Sequence, residues 1–219
     1  MNVVLSWLCS NSAVTDRLTA RWATDVDHQA AARRPTGPAR NTSLLARAAL
    51  RALLAEETGR ADWRLIADPR GKPLAVDPAD QPGPAVSLSH GGGLVAVALS
   101  SAETRLGVDV EAHRKRDVQA LAGYAFGPTE QALVRAGGAG AFFRIWSLRE
   151  AMGKATGDGL ALAVDRRDRV AGGDEYGIWS CGEWWLAHLA PQQGYSLAVA
   201  LLGGGRHRLT LRPVSLKAG

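Results

Sequence analysis

Apolar runs of strand length, long segments with helical spacing, and a composition in which 46% of 219 residues are apolar predict a compact protein of mixed strand and helix content with a sizeable core. Strand-like and helix-like stretches occur in two successive sets that meet near residues 110 to 120. The chain is therefore divided into an N-terminal half, 1–112, and a C-terminal half, 113–219.

Taken in order, residues 1–10 read as a strand, and Ser43 to Glu57 as a long amphipathic helix of Leu, Ala and Arg that ends at Thr58 and Gly59. Trp63 to Ala67 reads as a strand. Asp68 to Pro73 is a turn-rich loop, followed by strand-like AVSLSH and LVAVALS on either side of Gly91, Gly92 and Gly93. The strand LGVDVE comes next. In the second half a helix is expected from Pro128 to Ala136, a glycine-rich break at 137–140, a second helix from Phe142 to Thr156, and strands WWLAHLA and YSLAVALL. Residues 203–219 read as a surface tail.

The longest apolar runs fall well short of the roughly 20 residues of a membrane span, and Met1 to Cys9 has neither a basic leader nor a cleavage site. Cys9 and Cys181 stand far apart without metal-ligand spacing, so neither a disulfide framework nor a zinc site is expected, and a reducing cytoplasm is the natural compartment. A net charge of +5 and a pI near 9.7 point to an anionic partner without saying which. Of 26 basic residues 22 are Arg, so the four Lys, among them Lys72 and Lys154, stand out as positions that require an ammonium.

Four constellations carry chemistry. In GVDVE, Asp109 and Glu111 are two apart on a strand and share a face, while Val108 and Val110 enter the core. Two carboxylates so close call for a cation, and oxygen-only ligands suit a hard ion such as Mg2+; the alternative is a strand end with two solvated acids. In WSLREAMGKATGDGL, Trp146, Glu150 and Lys154 fall at i, i+4 and i+8 of one helix, a third carboxylate and an ammonium on one stripe; alone, Glu150 and Lys154 would read as an ordinary surface pair. In SLSHGGG, Ser89 and His90 end a strand before glycines, a corner suited to phosphate. In PRGKP, Gly71 turns the chain to display Lys72 beside Pro73.

In this order and spacing the four motifs resemble the phosphopantetheinyl transferase family, in its larger type with two related halves in one chain. The resemblance runs from about Arg34 to Leu160. It implies an α+β fold of two similar α/β halves related by a pseudo-twofold, each a small sheet packed on a long helix, with coenzyme A between them. By the resemblance, Asp109, Glu111 and Glu150 hold Mg2+ and Lys154 faces the reacting phosphate. Gly71, Lys72, Pro73, Ser89 and His90 contact coenzyme A, together with a basic residue upstream of the first long helix, Arg34 or Arg40. Arg149 stands where the family usually has a lysine.

The activity so implied is transfer of 4′-phosphopantetheine from coenzyme A to a serine of an acyl or peptidyl carrier protein, releasing adenosine 3′,5′-bisphosphate. Asp109, Glu150 and Lys154 would carry the catalysis, with Glu150 or a metal-bound hydroxide taking the serine proton. A carrier with an acidic face suits the basic chain; neither nucleic acid nor membrane is expected as a partner, and a two-half chain should complete its site as a monomer. The rival readings are a Mg2+-dependent phosphodiesterase or nuclease built on the same acids, and a noncatalytic nucleotide-binding protein.

Overall fold

The computed structural model describes residues 2–101, 104–170, 172–173, 175–203 and 207–212. It is an α+β protein whose chain divides into two compact units, Met1–Glu103 with Arg208–Gly219, and Thr104–His207. Among the described residues no helix is long and apolar enough to cross a membrane.

The first unit opens with β1 (Asn2–Cys9), α1 (Ser12–Trp22) and α2 (Asp25–Ala32), followed by the long helix α3 (Pro38–Thr58). α3 begins earlier than its apolar period indicates, because Gly37 at φ 101° turns the chain and Pro38 suits the first helical turn; it ends at Gly59 in the left-handed region, as the sequence predicts. β2 (Arg64–Ala67) and β3 (Pro73–Val76) form a hairpin around the Gly71 turn. β4 (Ala85–Gly91) and β5 (Leu94–Ser100) pair antiparallel across the glycine turn. Leu45, Leu50, Leu53 and Leu54 of α3 pack with Val95 and Val97 of β5 to make this unit's core.

The second unit starts with β6 (Arg105–Ala112), then α4 (Val118–Ala125), α5 (Pro128–Thr156), α6 (Leu160–Ala163), β7 (Gly177–Cys181), β8 (Trp184–Leu189) and β9 (Tyr195–Leu202). The sheet order is β6-β9-β8-β7, all antiparallel. β6, placed in the first half by the sequence reading, thus pairs along its whole length with β9. α5 lies on this sheet through Leu148, Ala151 and Met152. The expected four-residue break in it is a single non-helical residue, Gly138 (φ 61°, ψ −141°), so two helical stretches continue across one kink.

The tail expectation is corrected in part. Residues Arg208–Leu211 form β10, parallel to β1 with Asn2 opposite Arg208, which completes the first sheet in the order β10-β1-β5-β4. Four residues carry too little alternation to announce a strand, and the open edge of β1 supplies the pairing. Residues 204–206 and 213–219 of that segment, Lys217 among them, lie outside the described residues, as does Met1 of the first expected strand.

Candidate active site

Strand alternation aims Gly107, Asp109 and Glu111 at α5, while Val108 and Val110 are buried on the other face. Gly107 is needed for this contact. A Cβ there would lie 2.7 Å from Ala155 N and 2.9 Å from the Ala151 carbonyl carbon, and closer still to its oxygen. Strand and helix backbones meet at that point, which holds the acids of β6 against the helix.

From α5, Trp146, Glu150 and Lys154 face the strand. The Lys154 ammonium donates to Asp109 Oδ1 at 2.7 Å, with the Asp109 side chain almost wholly buried and the lysine one-third exposed. The sequence alone offered a Glu150–Lys154 surface pair only as the alternative to a functional stripe; the fold brings Lys154 a carboxylate from another element. Burial, then the charges of Asp109 and Glu150, push the Glu111 carboxyl up to about 7 against the opposing pull of Trp146's indole N–H and Lys154. Glu150 is also raised, by burial and by Asp109, with Lys154 opposing. Three carboxylates with one ammonium among them leave an excess of negative charge in a half-buried patch. Among the described residues no three His, Cys, Asp or Glu side chains converge as a ready-made metal cage.

The GDGL segment closes the end of α5. Gly157 adopts φ 82°, and the chain folds back so that Gly159 N donates to Gly153 O at 3.1 Å; a Cβ on Gly153 would collide with the Gly159 carbonyl. Glycines thus allow a tight reversal one residue from Lys154.

Arg149 is fully buried. It donates to the carbonyls of Ala125 (2.9 Å), Ala163 (2.7 Å) and Arg167, and pairs at 2.9 Å with Glu130, which is equally buried. Glu130 Oε1 in turn accepts from Arg169 N and Val170 N. The neighbour of Glu150 is therefore an internal brace tying α4, α6 and the loop 164–170 to α5, a task for the several donors of a guanidinium. Sequence spacing gives no sign of Glu130, nor of the His113 Nε2 contact to Ser196 Oγ at 2.9 Å beside Glu111.

The remaining candidates lie in the first unit. Gly71 turns at φ 86°, and Asp68 Oδ1 accepts from Arg70 N and Lys72 N, which fixes the loop before Pro73. Ser89 is buried and His90 half-buried near the end of β4. Arg34 is exposed between α2 and α3, whereas Arg40 turns inward, donating to the carbonyls of Ala32 (3.2 Å) and Arg34 (3.3 Å).

Residues 105–200, from the start of β6 almost to the end of β9, match the family described as the 4′-phosphopantetheinyl transferase superfamily. A curated protein of Nostoc sp., 4′-phosphopantetheinyl transferase HetI, is 32% identical over 141 residues, which cover 62% of this chain and 59% of that protein. Over these stretches the chain is similar to the 4′-phosphopantetheinyl transferase superfamily. It spans well under two thirds of the HetI length in this comparison. The segment matched to the superfamily contains Asp109, Glu111, Glu150 and Lys154 but none of the first-unit candidates.

Proposed function

We propose that this chain transfers 4′-phosphopantetheine from coenzyme A to a serine of an acyl or peptidyl carrier protein. The observation that carries this reading is the crossing of β6 and α5, where Asp109, Glu111 and Glu150 crowd around Lys154 within the segment matched to the superfamily.

Asp109, Glu111 and Glu150 fit a Mg2+ ion by chemistry: all are hard oxygen donors, and the proton affinity of Glu111 and Glu150 is raised first by burial and then by neighbouring carboxylate charge, the part that a cation would relieve. When bound, the ion would neutralise the pyrophosphate of coenzyme A. The chain's own groups then position and protonate. The Lys154 ammonium, fixed by Asp109, faces the charge that develops on the phosphate. Glu150, whose carboxyl holds a proton more readily than usual, accepts the serine proton as the hydroxyl attacks the β-phosphate, and adenosine 3′,5′-bisphosphate leaves. Lys72, Ser89 and His90, with Gly71, Pro73 and Arg34 or Arg40, contact coenzyme A away from the bond that breaks. His90→Ala and Lys72→Ala then raise KM for coenzyme A more than they lower kcat.

The test is intact mass spectrometry of apo carrier proteins incubated with the chain, coenzyme A and Mg2+. One phosphopantetheine on the carrier serine is expected, and none in excess chelator. Full modification in chelator would remove the metal from the reading, and no modification of any carrier would remove the transferase.

A further inference from the structure

Glu111 stands one residue before the end of β6, where a strand is held least firmly by its own ladder. His113 follows two positions on. Its backbone N–H donates to the Gly194 carbonyl at 2.7 Å, which carries the pairing with β9 past Ala112 and Tyr195. Its ring lies flat on Phe143 of α5, with centroids 4.7 Å apart and planes 8° from parallel, and its Nε2 meets Ser196 Oγ at 2.9 Å. Ser196 is the residue of β9 directly opposite Glu111. Residues so opposed share a face, with Cβ atoms about 5 Å apart. Ser196 and His113 therefore flank Glu111, one across the sheet and the other along the strand.

A series of rings reaches the same carboxylate from the helix. Phe143 meets Phe142 edge-on at 5.3 Å, Phe142 stacks on Trp146 at 5.9 Å, and the Trp146 indole N–H bonds Glu111. Contacts thus run without a break from one side of Glu111, through α5, to the other. Packing alone does not ask for an imidazole at this position, because a phenyl ring would stack on Phe143 equally well. What the imidazole adds is a partner for the hydroxyl of Ser196, a residue only 1% exposed. A buried hydroxyl without a partner costs more than the bond returns, so the two side chains are needed as a pair, and the pair sits beside a candidate metal ligand.

Resting on the metal site of the function proposed above, we propose that His113 is a positioning residue for Glu111. Bonded to Ser196 and stacked on Phe143, it fixes the end of β6 on α5 and keeps the Glu111 carboxylate turned toward Asp109 and Glu150, where a divalent cation would be shared. In this role His113 neither ligates the ion nor moves a proton.

The experiment is titration of the full chain with Mn2+ alone, as a stand-in for Mg2+, read by the electron paramagnetic resonance of the free ion. Transfer to an apo carrier at varied Mg2+ is measured alongside. His113→Phe keeps the stack and removes the bond to Ser196; Ser196→Ala removes the other partner and is the smaller change should the first variant fold poorly. Each should weaken Mn2+ binding about fivefold and raise the Mg2+ needed for half-maximal transfer by a like factor. KM for coenzyme A, and kcat at saturating Mg2+, should stay within about twofold of wild type. The double variant should be little worse than either single one. His113→Gln, whose amide can again bond Ser196, should recover most of the affinity. Wild-type Mn2+ affinity in the folded variants, or a loss in coenzyme A KM or in kcat as large as that in cation affinity, would overturn this inference and leave the transferase reading standing. A wild-type chain that transfers phosphopantetheine but binds no Mn2+ would remove the metal site and this inference with it. Variants that lose Mn2+ affinity as expected, in a chain that modifies no carrier, would support the role of His113 and remove the transferase.

Discussion

Replacing Gly107 by alanine tests whether the site depends on direct backbone contact between β6 and α5. The added Cβ would sit 2.7 Å from Ala155 N, whereas ordinary contact begins near 3.4 Å, so the strand must retreat by roughly 0.7 Å there and by more from the Ala151 oxygen. Both obstacles are main-chain atoms of a helix, which cannot swing aside as a side chain can. Overpacking of this kind costs about 3 kcal/mol, which in a chain of this size lowers Tm by about 6–12 °C. The same retreat carries Asp109 and Glu111 away from Glu150 and Lys154, and a displacement near 1 Å can reduce rate about 10²-fold. Gly123→Ala is the control: Gly123 lies within α4 with nothing near its absent Cβ, so alanine there should stabilise by about 0.5–1 kcal/mol. The assays are differential scanning calorimetry and phosphopantetheine transfer to an apo carrier followed by intact mass. A Gly107→Ala protein with wild-type Tm and wild-type rate would refute the reasoning.

Glu130→Ala leaves the buried Arg149 guanidinium without its carboxylate and should cost about 3–5 kcal/mol, read by urea unfolding; a loss below about 1 kcal/mol would show that the three carbonyl partners suffice. His188 binds a proton near pH 6.5 in the unfolded chain but only near 4 when folded. Stability is therefore complete above pH 6.5 and falls as pH drops toward 4, by about 2 kcal/mol at pH 5. His188→Gln should show a correspondingly shallower acid slope, and parallel curves for the two proteins would count against this assignment. Asp109→Ala and Glu150→Ala should each lower transfer about 10²-fold or more, with the double variant little worse, because groups acting on one ion lose their effect together; full additivity in the rates would argue for independent roles.

Periodicity in the sequence was enough to place β1, β4, β5, β6, β8 and β9, the body of α3 and both stretches of α5, because backbone geometry ties apolar spacing to strand or helix locally. The same rule set Asp109 with Glu111 on one strand face, and Trp146, Glu150 and Lys154 on one helix stripe. It said nothing of α1, α2, α4, α6, β3 or β7, whose signals are short, and it missed β10, which exists because β1 offers an open edge. Which residues meet across elements was decided by packing. Lys154 bonds Asp109, 45 positions earlier in the chain, and Arg149, which reads as a minor variation on a surface-like motif, is the buried tie between three segments. Gly107 is silent in the sequence beyond its place in a motif; only the approach of α5 shows why no side chain fits there. The proton affinities of Glu111 and Glu150 likewise arise from burial and from charges brought close by the fold, since pKa depends on surroundings that local sequence does not specify.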